Sequence, residues 1–518
     1  MSAHEPDPHA RPRTHDDGAQ SRPDRRPPSA STTRESVRRA GAAVSLVGLV
    51  AHAVAAPHSI AGAWIGLSLV TLGWLLALLG GARTGVRGTR LDLPLWLLFN
   101  WTILSAILSY EPRISLAKLA LASNFLIFYV LQAALTRRAA VLLAALMILS
   151  ASAGVLWGAG EIAIGRGVLV EEVRAGSALS SETPLRAGDA VWRVGGRRVS
   201  TVEEIDARIR EATAGERLPL SVITRGEHAE WPGLVVTEEL KRDTSPSGLV
   251  SRGPTRRFRA SGWTRHYETF AELLQIIAQL ALGFALAAHA RSRPRRLVLI
   301  AATAFALLGM GIALTAMRTV LVAYTFGAFV ILVRASLGRR TRLALVGWLA
   351  AAVAAGALAV WATRAGGALM FQDDSATLRA QVARTAVERV AVHPFFGHGM
   401  DAVKRHWHEW GFPGTDAVHT HSTPIQLAFD RGIPALILWL WAMAALWTMA
   451  ARAERMWRDA DDAGAHGLTL GATGALAGFL ASSVVNYNFG DSEVALLLWW
   501  LAASIVVFSK DRSQESGV

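Results

Sequence analysis

The chain has 518 residues, of which 52% are hydrophobic and 18% charged, with a formal net charge of +13 and no cysteine. So few charges exclude an ordinary soluble globular surface, where about a quarter of residues are charged. The lack of cysteine excludes a disulfide framework, a thiolate metal site and a cysteine nucleophile. The positive balance does not point to nucleic acid: the arginines sit in short loops between apolar blocks, with no aromatic-interleaved basic patch.

Residues 1–39 are rich in Pro, Arg, Ser and Asp and show no apolar periodicity, which predicts a disordered cytoplasmic tail. Apolar blocks of about 17–25 residues then recur, the length that crosses a bilayer as a helix. Residues 40–160 hold five expected spans, at 41–56, 59–81, 92–110, 115–136 and 139–160. The first ends in Ala53-Val54-Ala55, like a signal-peptide cleavage site, but the long polar tail before it and Pro57 after it predict an uncleaved anchor. Residues 268–363 hold four more, at 268–290, 297–315, 319–335 and 344–363. Three more, at 432–451, 467–485 and 493–509, precede a short tail at 510–518. The expectation is an all-α polytopic membrane protein of about twelve helices, its spans nearly free of charge.

Arg83/Arg87/Arg90, Arg137-Arg138, Arg291/Arg293/Arg295-Arg296, Arg339-Arg340/Arg342 and Arg452/Arg455/Arg458 fall at every second connection. Placing these inside gives cytoplasmic N- and C-termini and leaves two long segments outside, 161–267 and 364–431. Trp361, Trp441 and Trp500 lie near span ends, as an interfacial belt requires.

Within the first outer segment the pattern changes to strands and turns. Val168-Leu169-Val170 reads as a strand, Pro184 to Asp189 as a turn, and Ala190 to Val194 as a second strand closed by Gly195-Gly196. Ser200-Thr201-Val202-Glu203-Glu204 holds overlapping capping boxes that start a helix, and Leu218 to Thr224 alternates as a further strand. With Gly-Val-Leu-Val early and Leu-Arg-Ala-Gly-Asp-Ala-Val later, residues 161–240 resemble a bacterial-type PDZ domain, an α+β module. That resemblance implies a loop, Gly165-Arg166-Gly167-Val168, holding the carboxylate of a peptide or protein ligand; a folded spacer without ligand is the alternative. Residues 241–267 form a linker back to the membrane.

The second outer segment, 364–431, holds His393, His398, His406, His408, His419 and His421, six of the 15 histidines. His406-Trp-His408 and His419-Thr-His421 have a spacing that suits two metal ligands on extended chain, with Asp373-Asp374 as weak further donors. Ordinary polar loop residues and a general base near the membrane surface are the other readings. The order of motifs favours the base. Ser375-Ala-Thr-Leu-Arg379 is followed by a helical stretch, then His393-Pro-Phe-Phe-Gly397-His-Gly399, then His419-Thr-His421-Ser-Thr-Pro-Ile-Gln426, then Gly432-Ile-Pro434 opening a span. This series resembles the O-antigen ligase and polymerase family. Ser422 in place of a commoner Asn, Pro434 near a usual Gly, and the inserted module depart from it.

The resemblance implies a GT-C-like membrane glycosyltransferase with a large catalytic loop between the ninth and tenth spans. It implies transfer of a glycan from a polyprenyl-diphosphate carrier to a hydroxyl-bearing acceptor (lipid A core, a growing glycan or a protein) on the periplasmic face of a bacterial inner membrane. His421 is then the base, with His419 as fallback, and Gln426 orients substrate. Arg379 and Arg318, the latter in Thr315-Ala-Met-Arg318 at an outer span end, hold the diphosphate, since guanidinium groups remain charged and bind phosphate bidentately. No metal or other cofactor is required if these cations neutralise the leaving group. Beyond donor, acceptor and the ligand of the PDZ-like module, the expected partners are membrane lipids. A polytopic lipid or solute transporter and a PDZ-bearing membrane scaffold are the readings from other classes.

Overall fold

The computed structural model describes residues 30–509 apart from positions 176, 178, 181–182, 184, 225, 336–337, 348–349, 352–353, 355–373 and 415–418. Its helices are α1 Ala30–Ala55, α2 Ile60–Leu79 and α3 Asp92–Leu108, followed by the short α4 Pro112–Ala117, α5 Leu119–Ala122 and α6 Leu126–Ala134, then α7 Arg137–Ile164. After the inserted unit come α10 Tyr267–Ala290, α11 Arg295–Thr315 and α12 Arg318–Arg334. The last are α13 Asp374–Val390, the single turn α14 Ala402–Arg405, α15 Thr423–Arg458, α16 Ala463–Ser483 and α17 Ser492–Phe508.

Six of the described helices are long and apolar enough to cross a membrane: α1 (from Thr33), α2, α7, α10, α11 and α15. Three shorter apolar stretches, Asp92–Leu108, Leu119–Ala134 and Ser492–Phe508, accompany them. The expected span 115–136 is not one helix. It breaks at Lys118 and again at a 3-10 turn, Ser123–Phe125, and this broken stretch lines the central cavity. Most of the expected span 344–363 lies outside the described residues.

Helix α10 is the hub, with 94% of its apolar window buried inside the protein. Its packing on α16 rests on glycine. A Cβ added at Gly283 would stand 2.3 Å from the Gly467 carbonyl oxygen, and one at Gly471 2.7 Å from the Leu280 Cα. Small residues spaced in this way let backbones approach in a bilayer, where the hydrophobic effect supplies no attraction between helices. The hub is also polar. Gln279 Nε2 donates to the Tyr324 carbonyl at 2.8 Å, and Glu272 is only 3% exposed. With Arg334 bonded to the buried Glu454 at 2.5 Å, this corrects the expectation that the spans are nearly free of charge. In each case a partner helix supplies the counter-groups that lipid lacks.

The inter-span connections gather at two ends. At one, Arg291 donates to the carbonyls of Trp457, Arg458 and Ala460 (3.0, 2.9 and 2.6 Å), and Trp457 Nε1 to that of Phe508 (2.8 Å). At the other, Ser105 donates to the Phe396 carbonyl at 2.7 Å, the Thr423 amide to Asn486 at 3.1 Å and the Ala260 amide to Leu314 at 3.0 Å. The second end carries the inserted unit.

That unit is a small α+β body with its own apolar core, including Val191, Ile205, Leu220 and Leu234. Strands β1 Val168–Leu169, β3 Ala190–Val194, β5 Arg217–Thr224 and β6 Glu227–Val235 form an antiparallel sheet in that order, with β4 Arg197–Arg198 on β3. β2 Glu172–Val173 pairs with β7 Leu249–Val250, and α9 Glu238–Arg242 follows β6. Helix α8, Val202–Glu211, begins where the capping signal lies: Thr201 accepts from the Glu204 amide (3.3 Å) and the Glu204 carboxylate from the Ser200 amide (2.7 Å).

Gly471→Leu is expected to lower the melting temperature in detergent by several degrees, by wedging α10 from α16. Gly160→Leu, where an added Cβ meets nothing within 4 Å, is the control. Equal melting of the two variants contradicts the close-packing account.

Candidate active site

The His419–His421 turn owes its shape to the helix that follows. Ser422 caps α15 by accepting from the Ile425 amide at 3.5 Å, and Pro424 occupies the first turn, where its missing N–H costs nothing. One turn on, Gln426 Oε1 accepts from the Thr420 amide at 2.7 Å, while its Nε2 donates to Asp430 at 2.8 Å. His421 itself has φ +55°, a left-handed conformation that is unusual for a residue with a Cβ and is concentrated at functional sites. Its amide donates to His419 Nδ1 at 3.2 Å, and the two rings lie 4.5 Å apart.

Residues 423–431, expected as outer loop, belong to α15, which kinks at Gly432. Gly432 has φ +82°, and an added Cβ would fall 1.8 Å from the Phe395 carbonyl oxygen, so the turn at 393–399 dictates the kink. The His393-Pro-x-x-Gly-x-Gly segment docks there through backbone hydrogen bonds and the His398 ring. The His398 amide donates to Phe429 O (2.8 Å), that of Gly399 to Asp430 O (3.0 Å), and that of Ile433 to Pro394 O (2.7 Å). His398 is 2% exposed, stacks on Phe429 and donates through Nε2 to the Arg389 carbonyl at 3.0 Å. Burial holds its pKa down at about 4. His406 bridges Glu111 and Glu409, at 2.6 Å each. These histidines build the loop; His419 and His421 face the cavity.

That cavity has a volume of about 1060 Å³. Its lining is mixed: Leu95, Leu98, Phe99, Leu121, Phe125 and Trp499 are apolar, and His419, His421, Gln426, Asp430, Glu272, Asn486, Asn488 and Asp491 are polar. Burial lowers the pKa of His419 to about 4, with Arg379 adding to it. Burial, then His419, then Arg379 lower that of His421 to about 3. Both rings are therefore neutral at pH 7.

The two arginines expected at the site are not among the residues that line the cavity. Arg379 Nη2 donates to Glu268, a wall residue, at 3.3 Å. Arg318 opens α12 just after Ala316, which has φ +56°; its neighbour Thr319 meets Asn486 in the wall at 3.1 Å. The cations in the wall itself are Lys118, paired with Asp401 at 3.0 Å, and Arg431. Sequence reasoning missed these, along with Glu272, Asn486, Asn488 and Asp491. The signals were there: a carboxylate inside a 24-residue apolar helix, and the polar run Asn486-Tyr-Asn-Phe-Gly-Asp491 between two apolar ones. Among the described residues, no three His, Asp or Glu side chains are grouped to hold a metal ion.

Residues 303–440 match the O-antigen ligase family model. The match spans about a quarter of the 518 residues, and Arg318, Arg379, His419, His421 and Gln426 all fall within it. It supports the resemblance for the segment that supplies these side chains, in a chain with helices fit to span a membrane. No curated protein matches the chain. Outside the O-antigen ligase match, the Gly165–Val168 loop is tied down. The Gly165 amide donates to Glu161 O and the Arg166 amide to Thr255 O, both at 2.8 Å, and Val168 pairs with Val191. The Arg166 guanidinium pairs with Glu161 and lies over the Phe258 and Trp192 rings. From the same unit His228, 3.2 Å from Arg166, lines the cavity with His266.

The folded chain keeps His398, His419 and His421 neutral, whereas the unfolded chain takes up their protons at about pH 6.5. These groups destabilise the fold progressively as pH falls from about 6.5 towards 4. Melting in detergent at pH 7.5 and pH 5 is expected to show this loss, and His398→Gln to reduce the difference. An undiminished difference in that variant rules out its share.

Proposed function

We propose that the protein is a membrane glycosyltransferase of the O-antigen ligase type, moving a glycan from a polyprenyl-diphosphate carrier to an acceptor hydroxyl on the periplasmic face of a bacterial inner membrane. The observation that carries this reading is the cavity: a neutral imidazole, held in a rare backbone conformation, lines a space that apolar helical side chains also line and that is large enough for a lipid diphosphate and a sugar. The matched family supplies the reaction class. The alternating basic connections support cytoplasmic termini and an outward cavity. The recurrence of apolar blocks supports about twelve spans in a GT-C-like arrangement.

In this mechanism His421 takes the proton of the acceptor hydroxyl. The oxygen attacks the anomeric carbon, the carbon–oxygen bond to the diphosphate breaks, and its electron pair leaves with the lipid diphosphate. Attack opposite the leaving group inverts the anomeric centre. His419 is the weaker candidate, because its Nδ1 already accepts from the His421 amide and a neutral ring then carries its proton on Nε2. Arg379, bonded to the lining residue Glu268, and Arg318 are the proposed diphosphate-binding cations, with Arg431 in the lining itself. A diphosphate is a good leaving group, so this charge serves in place of a strong general acid.

The inserted module suits a PDZ-like reading through its order of strand, turn, strand, helix and strand, and a peptide or protein ligand is its proposed partner. The acceptor is a glycolipid, a growing glycan or a protein, since all three present the same hydroxyl.

With polyprenyl-diphosphate glycan as donor and purified protein, His421→Ala is expected to lower kcat by about 10²–10⁴-fold. Arg379→Ala and Arg318→Ala are expected to raise KM for the donor. Wild-type turnover by His421→Ala removes the assignment. The low pKa of His421 also sets the pH profile: transfer should persist from pH 8 to about pH 5. An acid limb centred near 6.5 identifies a different, solvent-exposed base.

A further inference from the structure

Glu272 lies one turn into α10, is 3% exposed, and lines the cavity. No arginine or lysine is within salt-bridge distance of it among the described residues. Its neighbours are neutral donors from the end of α16 and from the α16–α17 turn. Ser482 Oγ bonds to Oε1, Asn486 Nδ2 lies 3.0 Å from Oε1, and Asn488 Nδ2 lies 3.5 Å from Oε2. Burying a carboxylate without a cation costs several kcal/mol. The close backbone approach of α10 and α16 is supplied by Gly283, Gly467 and Gly471, which lie away from Glu272 in sequence.

What the carboxylate organises lies beyond its own contacts. Asn486 Nδ2 is also 3.1 Å from Thr319 Oγ1, the residue after Arg318. The Asn486 carbonyl accepts from the Thr423 amide and from Thr423 Oγ1, both at 3.1 Å, two residues after His421. Asn488 Oδ1 lies 3.1 Å from Thr423 Oγ1 and 2.8 Å from Ser483 Oγ. A single buried carboxylate therefore orients two asparagine amides, and these pin the first turns of α12 and α15. An asparagine whose Nδ2 is committed to Glu272 must present Oδ1 the other way, and at Asn488 that is where Thr423 and Ser483 stand.

We propose that Glu272 is a positioning residue for the transfer site, registering the Arg318 turn and the His421 turn against one cavity wall through Asn486 and Asn488. This rests on the glycosyltransferase reading above. The network has two limbs. The Asn486–Thr319 limb sets Arg318 and hence donor binding; the Thr423 limb sets His421 and hence turnover.

The test uses full-length protein in detergent or nanodiscs with polyprenyl-diphosphate glycan and an acceptor. Glu272→Ala is expected to lower kcat/KM at least tenfold. Glu272→Gln should fall between it and the wild type, because Gln Oε1 still serves Ser482 and Asn486 while its amide repels that of Asn488. Thr319→Val, which removes one hydroxyl and keeps the carboxylate, should raise donor KM with kcat within about twofold. Thr423→Val should lower kcat and leave donor KM unchanged. In a double-mutant cycle, Glu272→Ala with Asn488→Ala should cost no more than Glu272→Ala alone.

Wild-type kinetics in Glu272→Ala, or losses that add in the cycle, overturn the proposal. If Glu272→Ala does not fold, the two threonine variants decide, and equal effects of both on kcat and KM overturn it. His421→Ala runs in parallel. An active His421→Ala defeats the transfer site itself and this inference with it, whereas an inactive His421→Ala beside wild-type-like Thr319→Val and Thr423→Val defeats only the role of Glu272.

Discussion

A helix enclosed by protein inside a membrane can carry groups that lipid does not tolerate, and α10 is such a helix. Its close approach to α16 depends on glycines 283, 467 and 471, where any side chain would meet backbone within 3 Å. Because the backbones touch, little space is left for water, and polar side chains on α10 must find protein partners. Glu272 and Gln279 find them on the α16–α17 turn and on α12. The polar lining of the cavity grows out of this enclosure, and the apolar lining is supplied by α3, the broken stretch α5–α6 and α17.

The loop that ends at the candidate site uses backbone groups bonded to backbone groups in the same way. The turn at 393–399 presses its carbonyls into the kink at Gly432 and receives the amides of that kink in return. The close backbone approach explains the glycines of the motif, and the buried cluster of Trp407, Trp410, Phe412 and Phe429 holds the rest of the loop. The histidines within it are spacers and bridges. His398 fills space against Phe429, and His406 links Glu111 with Glu409. Of the described histidines of this loop, the pair at 419 and 421 lines the cavity, and burial keeps both rings neutral.

The inserted α+β unit is joined to the membrane body through more than its two chain crossings. Arg166 is clamped by Glu161 and two aromatic rings, and Phe258, Trp192 and Ile223 form a small apolar cluster with Ile162 at the end of α7. His228 thereby reaches the cavity wall. The unit is thus placed to influence what enters the cavity.

Much of this was legible in the residues alone. Apolar block length marks the helices, Thr201 marks where one of them starts, and alternating short motifs mark the strands, because each reflects local backbone chemistry. The candidate base at His421 was legible for a different reason: its motif resembles a family. What tertiary structure alone decided is which residues meet. Glu272 and Asn486 are more than two hundred positions apart, and nothing local in either pairs them. The kink at Gly432 likewise follows from a neighbouring turn, at Pro394 and Phe395, that folding brings against it. Helix formation satisfies a backbone within one segment, whereas a buried carboxylate must be satisfied by whichever segment folding brings beside it.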